Sequence, residues 1–126
     1  MKLRIKGNSL RLRISRSEMA TLVKSGAIDE SIYFAVAPEA KFTYSLRLES
    51  ASSNVHVEYL PQHIAVVIST QAAERWATSD QVGIYGSSET SAGPLQIVVE
   101  KDFACLDGEN PMDDDAFPNP NAESVC

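Results

Sequence analysis

The feature of this sequence that most constrains its fold is a pattern of strands and helices that occurs twice, about 54 residues apart. The first copy runs from the alternating stretch 10–14 through Ser15 into a short helix. The second runs from the apolar stretch 64–68 through Ser69 into another. In this alignment Leu22 corresponds to Trp76, and Ile28 to Val82. Because one such unit cannot bury its apolar face alone, we expect two copies to pack into one β structure.

Period-two alternation of apolar and polar residues predicts eight strands, and apolar residues at helical spacing predict two short helices after Ser15 and at 70–79. The order is ββαββ twice. We therefore predict an α+β, β-rich fold in which duplicated ββαββ units form an antiparallel eight-stranded barrel or a strongly curved sheet. Two predicted boundaries matter below: a strand over 28–37, and a Ser/Gly-rich loop over 87–94.

The composition changes after Lys101, which predicts a domain over 1–101 and an acidic, proline-containing tail over 102–126. The tail has few apolar residues. We expect it to pack on the domain through three apolar anchors, with the acidic run 113–115 near the basic opening hairpin. These anchors are Phe103, Leu106 and Phe117.

The net charge of −6 is distributed unevenly, because seven of the eleven bases but only one of the seventeen acids lie in residues 1–24. Two interpretations stay open. The acidic tail can neutralise the basic hairpin within the molecule, or the hairpin can bind an anion. No apolar stretch approaches the roughly 18 residues that span a bilayer, and the first residues do not resemble a signal peptide. We expect a cytoplasmic protein, and in that compartment two thiols are more often free than bridged, so Cys105 and Cys126 are expected to be free.

The opening hairpin is the strongest candidate for anion binding, because guanidinium and ammonium groups at alternate positions project to one face. Its candidate residues are Arg4, Lys6, Arg11 and Arg13. Binding of nucleic acid is disfavoured, since no aromatic residue that could stack on a base occurs before Tyr33.

His56 and His63 flank a predicted hairpin turn near Glu58, where a His and Glu pair can serve either as general acid and base or as an ordinary cross-strand pair. The tail residues Cys105, Asp107 and Glu109 lack the spacing of a calcium loop and the further ligands of a zinc site. No nucleophile elbow, P-loop or dinucleotide fingerprint occurs. We therefore expect no catalytic residue and no cofactor.

Three segments resemble an uncharacterised family of small bacterial proteins that carry a domain of unknown function: the opening residues 1–18, and the later segments 101–106 and 115–120. The resemblance spans nearly the whole chain. It implies a bacterial source and includes the tail in the family pattern.

The duplicated architecture is also similar to the triphosphate tunnel (CYTH-like) barrels, which bind polyphosphate with inward-facing bases and metal-binding acids. This resemblance adds Arg47 to the four bases above, and it implies that Glu49, Glu58 and Glu100 are the metal ligands, with a divalent metal as cofactor. The family's opening Glu-x-Glu-x-Lys signature is replaced here by residues 2–6. The resemblance therefore favours binding over metal-dependent hydrolysis.

Two functional hypotheses follow. The first is a non-catalytic binding or interaction module that engages a protein partner through exposed strands or the tail. The second is a binder, or less readily a hydrolase, of a phosphorylated small molecule held by the five bases. The direction in which the bases point distinguishes them, and the non-enzymatic hypothesis is favoured.

Overall fold

The computed structural model describes residues 1–51, 55–104 and 115–118. These residues form eight strands and two helices in the predicted order. They are β1 (Lys2–Lys6), β2 (Ser9–Ile14), α1 (Arg16–Ser25), β3 (Ala27–Tyr33), β4 (Lys41–Glu49), β5 (His56–Leu60), β6 (His63–Ser69), α2 (Thr70–Ala77), β7 (Gly83–Thr90) and β8 (Gly93–Lys101).

Both helices start at the capping serines that the sequence predicts. The Ser15 hydroxyl accepts a hydrogen bond from Glu18 N, and the Glu18 carboxylate accepts one from Ser15 N at 2.9 Å, which is a complete capping box. The helix α1 ends at Ser25 and is capped by Gly26, whose left-handed φ of 86° is accessible at little cost to glycine. In α2 the Ser69 hydroxyl accepts from Ala72 N, and the helix ends at Ala77, two residues earlier than predicted.

The strands form two four-stranded sheets: sheet A, in the order β1-β2-β8-β7, and sheet B, in the order β3-β4-β6-β5. All four hairpins are antiparallel, but the central pairs β2–β8 and β4–β6 are parallel. The prediction of a fully antiparallel fold is therefore wrong. It failed because each hairpin joins a hairpin from the other half of the chain, and a pairing so distant in sequence leaves no local pattern.

The two halves of the chain occupy equivalent places. The strands β1, β2, β3 and β4 correspond to β5, β6, β7 and β8. When each strand is replaced by its counterpart, the order of sheet A becomes that of sheet B, read in reverse. In the central pairs Leu12 is opposite Val99, as Val66 is opposite Leu46. Leu22 and Trp76 are both fully buried in one apolar cluster, as the sequence alignment requires.

The alignment needs one correction at the strand that follows each helix. Ile84 pairs with Val99 as Ile28 pairs with Leu46, so the counterpart of Ile28 is Ile84 and not Val82. The difference arises because residues 78–82 connect α2 to β7, whereas Gly26 alone separates α1 from β3.

The sheets do not close into a barrel, because no strand ladder joins β5 to β7 or β1 to β3. At the first seam Gly86 lies against Val55: a Cβ atom at position 86 would be 2.9 Å from the Val55 Cβ. At the second seam the amino group of Met1 contacts Glu18 and lies 3.3 Å from Glu30 Oε1. Side-chain contacts thus replace backbone hydrogen bonds at both seams.

One apolar core fills the space between the inner faces of the sheets and the two helices. Its members come from both sheets and both helices, and they include Leu12, Ile14, Leu22, Leu46, Val66, Ile68, Trp76, Ile97 and Val99. The helices follow β2 and β6, so they cover the end of the molecule where the parallel strands finish. We call this the helix end. The four hairpin connections lie opposite it, at the hairpin end.

Two predicted boundaries at the hairpin end are wrong. The predicted strand 28–37 ends at Tyr33. Residues 34–40 form the connection instead, held by hydrogen bonds from Phe34 N to Ala40 O at 2.7 Å and from Ala40 N to Ala37 O at 3.0 Å. The predicted loop 87–94 is mostly strand, since β7 continues to Thr90 and β8 begins at Gly93, with φ of 91°. The backbone hydrogen bonds that pair β7 with β8 outweigh the weak strand propensity of the serines and glycines in β7.

Candidate functional site

The outer face of sheet A carries most of the predicted anion-binding bases. Alternation places Leu10, Leu12 and Ile14 in the core, so the side chains between them point outward. The same holds for β1. The outward bases are Lys2, Arg4, Lys6, Arg11 and Arg13, and we call this surface the basic face. The bases do not line an interior tunnel.

Acidic groups neutralise part of the basic face. Glu100 Oε1 lies 3.3 Å from Arg11 Nε and 3.8 Å from Arg13 Nε. Lys2 Nζ lies 2.8 Å from Asp102 Oδ2. The Tyr85 hydroxyl donates to Glu100 at 3.3 Å, and partial burial together with this carboxylate raises the pKa of Tyr85. Glu100 is therefore an ion-pair partner on sheet A.

Arg4 and Lys6 make no ion pair with any residue that the structure describes. They line a cleft of about 330 Å³ together with Ser9, Leu10, Arg11, Gln96 and Val98. Two unneutralised cations beside hydroxyl and amide groups can hold a phosphate or a carboxylate.

The fifth predicted base, Arg47, lies apart from the others on the outer face of sheet B. Its Nη2 donates to Glu58 Oε2 at 2.5 Å. This hydrogen bond lowers the pKa of Glu58 and raises that of Arg47. His56 Nε2 is 3.8 Å from the other oxygen of Glu58.

Two of the three predicted metal ligands come together here. Ligand atoms of Glu49, His56 and Glu58 all lie within 4.8 Å of one another, whereas Glu100 is on the other sheet. The sequence pattern predicts His56 and Glu58 only as an acid and base or a cross-strand pair. The two-residue spacing on one strand face also indicated a pair of ligands.

A second polar group on the same face joins Asp29, Ser45 and His63. The Ser45 hydroxyl is 2.5 Å from Asp29 Oδ1 and 2.7 Å from His63 Nε2, and Ser45 is only 4% exposed. A carboxylate can only accept, so the single hydroxyl proton goes to Asp29 and the Nε2–H of His63 must donate to Ser45. An activated serine requires the opposite polarity, in which it donates to histidine. This arrangement orders the sheet and does not activate Ser45.

The hairpin end contains the site that sequence analysis missed. An open cleft of about 420 Å³ separates the β1–β2 and β7–β8 connections from strands β5 and β6. Its apolar lining consists of Ile5, Leu10, Val57, Tyr59, Ile64 and Leu95. Asn8 orders one rim, since its Nδ2 donates to Pro94 O at 3.0 Å.

Several apolar side chains at this end face inward yet remain in contact with solvent. Ile5 is 64% exposed, Tyr59 is 76% exposed and Ile32 is 49% exposed. Beyond them, the β3–β4 connection exposes Phe34 and Val36. The alternation that places Ile5 and Tyr59 on inner faces is visible in the sequence, but their solvent contact depends on the open end of the core.

The described part of the tail, 115–118, lies beside the end of β8. Phe103 and Phe117 are half-buried and pack edge to face, with ring centroids 6.3 Å apart. Lys101 Nζ lies 5.2 Å from the centre of the Phe117 ring and donates to Ser79 O at 2.8 Å, and burial lowers its pKa. Asp115 accepts a hydrogen bond from Ser17 N at the start of α1, three residues after β2 ends. The predicted positions of Leu106, Asp113, Asp114, Cys105 and Cys126 fall outside the described residues.

These observations define a class: an α+β protein of two mixed sheets and two helices, with polar outer faces and an apolar cleft at one end. The chain belongs to a family described as a family of unknown function (DUF7009), whose sequence model matches residues 1–121. The match extends beyond residue 101, so the family pattern includes part of the tail. No curated protein and no solved structure matched the chain. Neither α1 nor α2 has the length and apolar composition of a membrane-spanning helix.

Proposed function

We propose that this chain is a non-catalytic binding module that engages a protein partner through its hairpin end. The observation that carries the proposal is the solvent contact of inward-facing apolar side chains, above all Ile5 and Tyr59, around the cleft. Apolar surface of this kind is costly in water and marks interaction sites when it is contiguous.

The shape of this surface favours a protein over a small molecule. The cleft is open. At the same end of the molecule the Gln62 side chain donates to Glu39 O at 3.0 Å and joins the β5–β6 and β3–β4 connections. Phe34 and Val36 are further exposed apolar side chains, on the β3–β4 connection at the same end of the molecule. Aromatic and branched apolar side chains with a polar rim are typical of the centre of a protein interface.

The polarity of the Ser45 and His63 pair supports the non-catalytic part of the proposal. Ser45 donates to Asp29 and receives the histidine proton, and it is almost fully buried. In this arrangement His63 does not accept the Ser45 proton, and a substrate would have to reach a hydroxyl that is almost fully buried.

The test compares two exposed tyrosines. Full-length chain is immobilised as wild type, Tyr59→Ser or Tyr85→Ser, and proteins from the source organism that bind are quantified by mass spectrometry. Tyr85 is the matched control because it is exposed on the basic face, away from the cleft. We expect a partner retained by wild type and Tyr85→Ser and reduced at least about tenfold by Tyr59→Ser, since interface aromatics often contribute more than 1.4 kcal/mol.

The retained partner is then purified and titrated against the same three chains. Equal affinity for all three would refute the hairpin-end proposal. A concentration-dependent dimer that Tyr59→Ser dissociates would assign this end to a second copy of the chain instead.

A second function, binding of a phosphorylated small molecule on the basic face, has its own supporting observation. Arg4 and Lys6 flank the 330 Å³ cleft without an ion pair to any described residue. We propose this as the alternative, with binding rather than hydrolysis as the activity.

Its test is thermal melting with inorganic triphosphate and with nucleotides, with and without Mg²⁺. A ligand present at 100 times its Kd adds about 2.7 kcal/mol of stability. We expect the increase in Tm to disappear in Arg4→Gln and to remain in Arg75→Gln, which removes an exposed arginine from α2. An identical shift in both variants would exclude the cleft as the site.

The equivalence of the two halves also leads us to propose an internal duplication. It is supported by the matching burial of Leu22 and Trp76 and by the equivalent pairings of Leu12 and Val66. A bacterial source and a cytoplasmic location stay predictions of the sequence.

A further inference from the structure

We propose that Glu49, His56 and Glu58 form a binding site for a divalent transition-metal ion, for which Zn²⁺ is the probe. The site lies on the outer face of sheet B, away from both the hairpin-end cleft and the basic face. It is therefore independent of the functions proposed above.

The strands already hold the three ligands in position. His56 and Glu58 are two residues apart on β5, so their side chains project from the same face. Glu49 is at the end of β4, and β6 lies between these two strands. Val67 of β6 pairs with both His56 and Arg47 and is fully buried. It forms an apolar floor beneath the polar groups.

The distances are close to those of a coordinated ion. All three ligand atoms lie within 4.8 Å of one another, and His56 Nε2 is 3.8 Å from Glu58 Oε1. Bonds of about 2.0–2.2 Å in a tetrahedral zinc site separate neighbouring ligand atoms by about 3.4 Å. Rotation of the three side chains about their own bonds, which shifts each ligand atom by about an ångström, would bring the atoms to this separation without moving a strand.

Arg47 gives this group the outer partner that metal-binding carboxylates usually have. It donates to Glu58 Oε2 and leaves Oε1 on the side of His56. Hydrogen bonds of this kind orient ligands in metal sites. With a neutral imidazole, the two carboxylates and one guanidinium leave a net negative charge, which attracts a cation. One imidazole and two carboxylates suit zinc better than calcium or magnesium, which prefer oxygen ligands.

A bound ion would join β5, an edge strand of sheet B, to β4 across β6. It would thereby hold β5, which follows Val55 and carries Tyr59, against the rest of the sheet. The expected consequence is a metal-dependent increase in Tm.

The experiment uses the full chain with Cys105→Ser and Cys126→Ser, which removes the thiols as competing zinc ligands. Metal-free protein is titrated with Zn²⁺ by calorimetry and with Co²⁺ by visible absorption. Two variants remove a ligand, His56→Asn and Glu49→Gln. Two matched controls, His63→Gln and Glu74→Gln, remove the other histidine and an exposed acid of α2. Circular dichroism verifies that each variant is folded.

We expect one Zn²⁺ per chain, with affinity reduced at least about 100-fold in each ligand variant and little changed in the controls. Outer partners alone contribute about 10–100-fold, so Arg47→Gln should weaken binding within that range. Absence of binding at millimolar Zn²⁺ would overturn the proposal. Zn²⁺ affinity that is unchanged in both His56→Asn and Glu49→Gln would also overturn it. So would a stoichiometry other than one Zn²⁺ per chain, if His63→Gln altered binding as much as the ligand variants do.

Discussion

Asp115 hydrogen-bonds to Ser17, a residue 98 positions earlier: its Oδ1 accepts from Ser17 N at 3.0 Å, and its Oδ2 accepts from the Ser17 hydroxyl. The contact supplies an acceptor to the first turn of α1, whose amide groups have no partner within the helix. Two backbone bonds lie nearby, from Phe117 N to Asp102 O and from Ala104 N to Phe117 O, both 2.9 Å long. The late segment 115–118 is thus bonded both to α1 and to the residues after β8.

This contact predicts a pH-dependent stability. Hydrogen bonds from Ser17 and Ser15 lower the pKa of Asp115. A lowered native pKa means that its stabilisation is present above the unfolded value, about 3.9, and is lost as the pH falls through the native value. We expect Asp115→Asn to lower Tm at pH 7 and the difference from wild type to shrink below about pH 4. Glu39→Gln, in the β3–β4 connection, is the control. A Tm difference that does not vary with pH would contradict the ionic account.

The seam between β5 and β7 predicts a packing defect that a second substitution relieves. Gly86→Ala places a Cβ atom 2.9 Å from the Val55 Cβ, and overpacking of this kind costs about 1–3 kcal/mol. Val55→Gly removes the opposing atom, so the double variant should be more stable than the sum of the single effects implies. Urea unfolding of the four chains measures the coupling. Additive losses would show that the two residues are not in contact.

The equivalent burial of Leu22 and Trp76 predicts similar sensitivity of the two helices. We expect Leu22→Ala to cost about 2–5 kcal/mol and Trp76→Ala about 3–5 kcal/mol, because each leaves a cavity in the shared core. Val23→Ala, on the exposed side of α1, should stay within about 0.5 kcal/mol of wild type. Equilibrium unfolding followed by circular dichroism measures all three. A large effect at Val23 with a small one at Trp76 would be incompatible with this core.

Ser45 supplies a prediction about a buried polar group. Ser45→Ala leaves Asp29 and His63 without their shared partner, which should cost about 1–3 kcal/mol. Ser31→Ala is the control, because it removes an exposed hydroxyl bonded to Thr43 at 2.8 Å and should cost less. Chemical unfolding distinguishes the two. Equal losses would indicate that burial adds nothing to the Ser45 interaction.

Local patterns predicted the elements, and distant pairings determined what could not be predicted. The serine caps, Gly26 and the alternation in β1, β2 and β4 are short-range signals, and the eight strands and two helices follow from them. The parallel pairings depend on residues from opposite halves, such as Leu12 and Val99. The sequence therefore carried no direct sign of two separate sheets.

The same reason separates the predicted site residues. Alternation correctly indicated that the opening bases share one face. No local pattern places Glu100 beside Arg11, since these residues meet only across the pairing of β2 with β8. Nor could it bring Glu49 to His56, because that requires knowing that a single strand separates β4 from β5.

The exchange of hairpins between halves has a consequence for how this chain acquires its structure. During synthesis β1 and β2 emerge before the other described strands, but their sheet partner β8 is the last of these strands to appear. An open hydrogen-bonding edge of β2 must therefore persist until almost the whole domain has been made. Contacts so distant in sequence slow folding and prolong exposure to aggregation. The outward row of arginines on β2 carries like charges, which repel a second nascent chain during that interval.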